Sequence, residues 1–481
     1  MTPDTHVSPG STRGPAHIAA VGVAFPAFRL PAATVAKGWG RGGGRGTAAV
    51  CGPDEDVLTL SAEAARRALG HAGVDPATID GLWWGTTRPP FAEGPSHAVL
   101  AAALGLSDRS AGALVAGSTH AGMEALLAAA DAIVAGSART ALVVAADVLR
   151  PGPGTGYEAR AGAGAAAVVL TADTGPAALG SRVTRTRPLL DRYRGDGEAT
   201  TRDVYDARLF REEIFLPAIR QVGEHLAALT PRAWSLPDPD GRLGATTAKE
   251  LGVTDALASR PVFAEVGDCG AAAALLGGIA GLDATGVVAV VGFGGGRTTG
   301  VTINASGPVP GAAELTARLA AGTEIDYTTA LRARGDLVAA GETVPMGVPP
   351  GSAMFVRGAD EMLGLLAARC TDCGTLNTPP SIHPACLSCG GTKLDPVELA
   401  RTGVVHTFVI NQTMPAPFVA PLPIAVIDLD DGARIMLQAI GDGHDLAIGT
   451  PVELVLRRYA HERGVPVYGL KARALDPVPE E

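Results

Sequence analysis

Two stretches of this chain, residues 104–147 and 251–293, carry the same order of features. The first reads LGLSDRSAGALVAGSTHAGMEALLAAADAIVAGSARTALVVAAD. The second reads LGVTDALASRPVFAEVGDCGAAAALLGGIAGLDATGVVAVVGF. Each opens on LG-[LV]-[ST]-D, and each predicts a strand, a Gly-polar-polar turn, a helix of small residues and a Val-rich strand. A unit used twice constrains the chain to a pseudo-twofold domain with two related sheets. The turns Gly117-Ser118-Thr119-His120 and Gly267-Asp268-Cys269-Gly270 then fall at matching helix N-termini. Backbone N–H groups there favour negative charge. The competing explanation is that Ala- and Gly-rich α/β units resemble one another through composition alone.

The surroundings of the repeat fit an α/β domain. From Ile18 to about Val338, Val-rich runs such as ALVVAAD (141–147), AAAVVLTA (165–172) and GVVAVVGF (286–293) alternate with helical runs. SAEAARRALGHAG (61–73) and AGMEALLAAADAIVAG (121–136) are such helices. Short runs apolar throughout are the mark of strands buried on both faces. Charge is 18% of the chain and aromatic content 4%, so the core must be built from Ala, Val and Leu. The formal net charge of -10 gives no general attraction to nucleic acid, although a local basic patch could hold a phosphate such as that of coenzyme A. Every apolar run meets a charge before about 18 residues, so no membrane span is expected. Ile18 to Phe28 reads as a strand and turn broken by Pro26, not as a leader, and a cytoplasmic location follows from the cysteine usage.

Four of the six cysteines are clustered: Cys370, Cys373, Cys386 and Cys389 give C-x2-C-x12-C-x2-C. Four thiolates on two tight turns suit tetrahedral zinc, and four protein ligands leave no position for water, so the metal is structural. A lost metal with free thiols, or another soft metal such as iron, are the alternatives. His383 lies between the pairs and reads as a surface residue. Gly374 and Gly390 follow each pair, where the chain must turn its amides toward sulfur. Beyond the cysteines, VVHTFVI, PIAVIDL, RIMLQAI and PVELVL predict a small β-barrel. The expected organisation is a flexible arm over 1–17, an α/β domain over 18–340, a linker with one helix (ADEMLGLLAA) over 341–368, a zinc ribbon over 369–395 and an OB-like barrel over 396–476.

The segments DEDVLTLSAEAARRAL, IDGLWWGTT, AGSTHAGMEAL, GAGAAAVVL, the DRYR run at 191–194 and GFGGG resemble the ketoacyl synthase III and 3-hydroxy-3-methylglutaryl-CoA (HMG-CoA) synthase branch of the thiolase superfamily. CTDCGTLNTPP, CLSCGG, GVVHTFVI and PVELVLR resemble the acyl-CoA-associated zinc-ribbon/OB family. The first resemblance implies a duplicated αβαβα fold, a coenzyme A or carrier-protein thioester as substrate, and a homodimer. The second implies docking or acyl-CoA contact beside a thiolase-like partner, without catalysis of its own.

The catalytic pattern of the thiolase branch is altered here. Its cysteine falls at Thr119, flanked by Ser118 and His120. Its His-Gln-Pro-Asn-Gly turn reads Pro237-Asp238-Pro239-Asp240-Gly241, its Gly-Asn turn reads Gly267-Asp268, and the acid/base glutamate of the HMG-CoA synthases falls at Thr87. An alkyl hydroxyl needs an adjacent base to act as nucleophile. Loss of one oxyanion donor alone costs about 2.7–4 kcal/mol of barrier. HMG-CoA synthase activity is therefore not expected. The candidate catalytic residues are Thr119, His120 and Asp268, with Ser118 and Cys269 as alternatives and Tyr157 as a further base. Gly294, Gly295 and Gly296 are candidates for close backbone approach to an acyl group. Asp147, Asp191 and Cys51 read as structural.

Three functions are compatible with these residues. One is an enzyme for acyl transfer or for carbon–carbon bond formation or cleavage on a thioester. The second is a non-catalytic scaffold docked to an active thiolase-like partner, and the third is an acyl-CoA-binding regulator. The polar residues kept at the two turns favour a working pocket, whereas the missing cysteine favours a scaffold.

Overall fold

Val-rich runs satisfy their backbone groups by pairing with one another, and here they do so across the whole α/β region. In the computed structural model, which describes residues 14–204, 206–338, 358–414, 418, 420–462 and 465–475, the chain forms two compact units. One comprises residues 1–100 and 106–338, the other residues 101–105 and 339–481. The arm expected at 1–17 and the linker expected from 341 lie largely outside the described residues.

In the first unit, His17–Ala24 (β1), Gly81–Thr86 (β2), Ala111–Ala116 (β3), Thr140–Val148 (β4), Ala163–Thr171 (β5), Ala177–Thr186 (β6), Ala233–Ser235 (β7), Gly286–Gly294 (β8) and Arg297–Ala305 (β9) form one sheet. Its order is β3-β2-β4-β5-β1-β6-β9-β8-β7. In the first half β2 runs parallel to β3 and β4, and β5 is antiparallel to both β4 and β1. The second half repeats these directions, with β7 parallel to β8 and β9 antiparallel to β8 and β6. The halves join where His17 pairs with Ala178 and Ile18 with Ala177. The two related sheets expected from the repeat are thus two halves of one hydrogen-bonded sheet.

Helices cover both faces. Val57–Ala72 (α1) begins at a capping box: the Asp56 carboxylate accepts from the amides of Leu58 (3.0 Å) and Thr59 (3.1 Å), and the Asp56 amide donates to the Thr59 hydroxyl (2.8 Å). It packs on β1, β5 and β4. Ala121–Ala135 (α2) lies between the half-sheets, and Leu216–Ala227 (α3) covers the far side of the second half. Ser259–Val266 (α4) and Ala273–Ile279 (α5) complete the second repeat. Met123, Leu126 and Ile133 of α2 share one core with Leu275 and Leu276 of α5, with Val143 and Ala145 of β4, and with Val288 and Val290 of β8. The intervening residues Ala289, Val291 and Phe293 face Val222 and Leu226 of α3. Burying a Leu or Ile is worth about 1.5–3 kcal/mol, so a one-residue slip that exchanged the two faces of β8 would be heavily penalised. The layers α1, half-sheet, α2 with α5, half-sheet, α3 make a duplicated αβαβα fold.

One expected strand is a helix. PVFAEV in the second repeat lies in α4, where Val262 and Val266 are both buried. Their spacing of four places them on one helical face, and a short apolar run of this kind does not separate strand from helix by itself.

Among the described residues of the second unit, one helical turn spans Ala359–Leu363 in place of the longer helix expected. Gly364 ends it, and the remaining LAA becomes part of a strand, Leu366–Cys370 (β10), because it pairs with Leu394–Glu398 (β12). Leu376–Asn377 (β11) adds the third strand. Thr402–Asn411 (β13), Leu422–Leu429 (β14), Arg434–Gln438 (β15), Pro451–Glu462 (β16) and Val465–Ala474 (β17) follow as a sheet in the order β15-β14-β13-β16-β17. A bridge from Ala439 to Ala472 nearly closes it, as an OB-type barrel requires. Among the described residues, no helix is long and apolar enough to cross a membrane.

Candidate active site and metal centre

The two matched turns do meet. The Thr119 turn leads into α2 and the Asp268 turn leads, through Gly270–Ala272, into α5. Thr119 and Asp268 line one cavity of about 680 Å³, with Gly292 and Phe293 of β8 and the loop Pro237–Asp240. The glycine at position 270 is required, because its φ is +53° and a Cβ would stand 2.2 Å from the Asp147 carboxylate. That close approach lets Asp147 accept from the Ala271 amide (2.8 Å) and, on the first repeat, from the Thr87 hydroxyl (2.6 Å). Asp147 therefore ties the two repeats together beneath the site. Burial pushes its carboxyl up to about 6 against these hydrogen bonds.

Arg192 organises the cavity, and its role was not read from the sequence. It lies in the DRYR run, on a loop with no regular structure. Its Nη1 donates to Asp268 Oδ2 at 3.0 Å, its Nε to Asp203 Oδ1 at 3.2 Å, and its Nη2 to the Pro239 carbonyl at 2.5 Å. The guanidinium lies 4.0 Å from the centre of the Tyr157 ring. Both partners of the Arg192–Asp268 pair are largely buried, at 14% and 10% side-chain exposure. Burial raises the Asp268 carboxyl above its ordinary value, while Arg192 and the Gly270 amide (2.9 Å) favour the charged form. The negative charge of Asp268 is thus matched by a guanidinium in contact with it.

Asp238 also faces this cavity. Burial, with the neighbouring charges of Asp240 and Asp268, pushes its carboxyl up to about 6, and its Oδ1 is buried without a hydrogen-bond partner. Burial pushes the Tyr157 hydroxyl up to about 12.

Several expected site residues either lie outside this cavity or have their polar groups engaged by the protein. The Thr119 hydroxyl donates to the Phe293 carbonyl (2.9 Å), not to His120. His120 is fully buried, and its Nδ1 lies 3.4 Å from Glu124 Oε1 without hydrogen-bond geometry, so no Thr–His pair forms. The reason is local: successive residues at a helix start point in different directions. Ser118 accepts from the His120 amide (2.9 Å) and serves the turn itself. Cys269 is fully buried, outside the cavity lining, and burial raises its thiol well above the ordinary value, the opposite of what a reactive cysteine needs. Gly294 approaches Thr119, where a Cβ would lie 2.0 Å from the hydroxyl oxygen. Gly295 packs on Ser118 and Gly296 on the Arg187 carbonyl, and none of the three glycines is among the cavity-lining residues. Asp191 lines the cavity and accepts from the Gly295 amide at 3.1 Å.

In the second unit, the four cysteine sulfurs lie within 4.8 Å of one another. Cys370 and Cys389 are 3.6 Å apart, Cys373 and Cys386 3.5 Å. A tetrahedron with metal–sulfur bonds of about 2.3 Å sets its sulfurs about 3.8 Å apart, so the cluster fits a four-coordinate ion. The turns match: the Gly374 amide donates to the Cys370 carbonyl and the Gly390 amide to the Cys386 carbonyl, each at 2.9 Å. The glycine amides thus go to carbonyl oxygens, and it is the Ser388 amide that points at the Cys386 sulfur (3.4 Å). His383 stands outside the cluster.

A duplicated α/β domain with two helix-leading turns around one cavity has the fold of the thiolase superfamily, and here it is joined to an OB-fold domain. Residues 396–457 match the family model described as the C-terminal OB-fold domain of ChsH2. Over 189 residues the chain is 32% identical to the HMG-CoA synthase of Methanosphaera stadtmanae, covering 38% of this chain and 55% of that protein. Over 122 residues it is 40% identical to the HMG-CoA synthase of Pyrococcus horikoshii, covering 25% and 35%. The matches thus span about half or less of these relatives' length. Among solved structures, MvaS in complex with HMG-CoA superposes with a TM-score of 0.60 at 21% identity, over 70% of this chain and 94% of that one. FabH of Pseudomonas aeruginosa gives 0.53 at 22% identity, over 61% and 98%. The HMG synthase of the curacin pathway, in complex with acetyl donor-ACP, gives 0.59 at 16% identity, over 72% and 94%.

Proposed function

We propose that this chain handles acyl thioesters and forms or cleaves a carbon–carbon bond without an acyl-enzyme. The observation that carries the reading is the buried Asp268–Arg192 pair in the cavity on which both turns converge. In cleavage, Asp268 takes the proton of a β-hydroxyl and the oxygen's electron pair forms a carbonyl. The Cα–Cβ bond breaks, and its electrons pass to the α-carbon as the thioester enolate. Protonation there yields a shorter acyl thioester, with an aldehyde or ketone as the second product. Bond formation is the reverse, and neither direction needs a further reactant. Arg192 offsets the repulsion between Asp268 and the enolate oxygen.

Coenzyme A or an acyl carrier protein bears the acyl group in this reading, as in the MvaS and curacin complexes. Purified protein is incubated with β-hydroxyacyl-CoA thioesters and the shorter acyl-CoA is followed by mass spectrometry. Turnover is expected, falling by about 10²–10⁴-fold in Asp268→Asn, the range for loss of a general base. Activity that needs a thiolase-like partner and is indifferent to Asp268→Asn would assign the scaffold role instead.

Thr119 gives a separate test. Its hydroxyl proton is held by the Phe293 carbonyl and so is not directed at any carboxylate. Thr119→Ala is expected to lose about 1 kcal/mol of stability and less than about threefold in kcat/KM. A hundredfold loss would restore an acyl-threonine intermediate.

The four cysteines hold zinc in this proposal, as a structural ion of the second unit. The first unit associates as a homodimer through β3, an edge of the nine-stranded sheet whose residues Ala111–Ala113 are exposed. An uncovered edge offers unpaired N–H and C=O groups to a second copy. Light scattering is expected to show a dimer for the natural protein and a monomer for Ala113→Lys; a natural protein that is monomeric at micromolar concentration refutes this interface.

A further inference from the structure

We infer that Asp238 is the second acid–base group of this cavity, giving the α-carbon its proton in cleavage and removing it in bond formation. The inference rests on the thioester reading above and assigns the proton transfer that reading leaves open.

Two carboxyls in one cavity serve two roles when their surroundings differ. Asp268 is held by a guanidinium and a backbone amide, and so is suited to stay charged and receive a proton from oxygen. Asp238 has no ion-pair partner among the described residues, and its Oδ1 is buried without a hydrogen bond. A buried polar atom with no partner is uncommon unless a ligand supplies one. The charged groups that line the cavity with it are Asp240 and Arg242 on its own loop, Asp268 ahead of α5, Arg160, Asp191, Arg192 and Asp203 from the facing loops, and Arg208 and Arg211 ahead of α3. Arg192 is already engaged by Asp268, Asp203 and the Pro239 carbonyl, so it holds the loop beside Asp238 rather than the Asp238 carboxylate. Burial and the charges of Asp240 and Asp268, acting against the Gly244 and Gly241 amides that favour the carboxylate, keep Asp238 a proton donor up to about pH 6.

In cleavage, the enolate's electron pair at the α-carbon takes the proton from the Asp238 carboxyl. The Asp238 carboxylate left behind is reset by the proton that Asp268 removed from the β-hydroxyl, passed through solvent. Protons and electrons balance over the cycle.

The test is hydrogen exchange at the α-carbon of propanoyl-CoA in deuterium oxide, read by mass spectrometry, because that exchange needs no bond cleavage. The natural protein is expected to exchange, with a rate rising as pH passes through about 6, since removal of the α-proton needs ionised Asp238. Asp238→Asn is expected to lose exchange by about 10²-fold or more and to lose its pH dependence, and Asp238→Glu to recover part of the rate. Asp268→Asn is expected to lose β-hydroxyacyl-CoA cleavage and to move the exchange profile to lower pH, because the Asp268 charge that raises the Asp238 carboxyl is gone. Exchange that survives in Asp238→Asn and vanishes in Asp268→Asn overturns the assignment alone. A natural protein that cleaves β-hydroxyacyl-CoA but exchanges nothing also overturns the assignment alone, whereas one that does neither overturns the thioester reading beneath it.

Discussion

Arg192→Ala is expected to destabilise the first unit by about 3–5 kcal/mol, the cost of stripping one partner from a buried ion pair. The side chains are 14% and 10% exposed, so solvent cannot replace the lost contact fully. The same change frees the Pro239 carbonyl and the Asp203 carboxylate. A lowering of Tm by about 4–7 °C should result for a unit of this size. The double variant Arg192→Ala/Asp268→Ala is expected to regain much of the loss, because the uncompensated charge has been removed. The pH dependence has a definite sign. Without Arg192, burial raises the folded pKa of Asp268 further, so the folded state keeps a proton that the unfolded state releases. Stability of Arg192→Ala should therefore be least impaired near pH 4 and fall as pH rises. Thermal melts between pH 4 and pH 8 decide this; a penalty independent of pH would place the pair's importance in packing rather than charge.

Cys386→Ser is expected to abolish metal binding and unfold the ribbon. Structural zinc in small four-ligand sites contributes about 10–16 kcal/mol of apparent binding free energy, far more than the three short strands of this module can supply themselves. Metal analysis should show zinc falling from one equivalent per chain to nearly none. Residues 366–398 should become open to protease, and a chelator should do the same to the natural protein. The Thr119 and Asp268 residues lie in the other unit, so its melting transition should persist. Cysteine variants that still bind one equivalent would show that the four sulfurs are not the ligand set.

Much of this fold was legible because of how its strands are buried. β4 and β8 sit between helices on both sides, so their sequences are apolar throughout and stand out. The α4 segment did not, because Val262 and Val266 suit a strand as well as a helix until the packing partner is known. The LGLLAA segment failed for a similar reason: its helix stops at Gly364, and pairing with β12 takes over.

The site was half legible. Repetition marked the Thr119 and Asp268 turns, since equivalent turns in a duplicated fold must converge. Side-chain direction was not marked: His120 adjoins Thr119 in sequence yet turns toward Glu124. Arg192 and Asp238 lie on irregular loops, where no periodicity reports which way a residue points. The available signals were the DRYR run and the Pro237–Gly241 turn, which mark family positions without giving a side-chain direction.

The amino-acid order by itself marked most of the paired strands and the grouping of four cysteines, because apolar periodicity and cysteine spacing are local properties. Which carboxylate meets which cation was settled by folding alone, since Arg192 and Asp268 are 76 residues apart and come together through the packing of two repeats around one shared core.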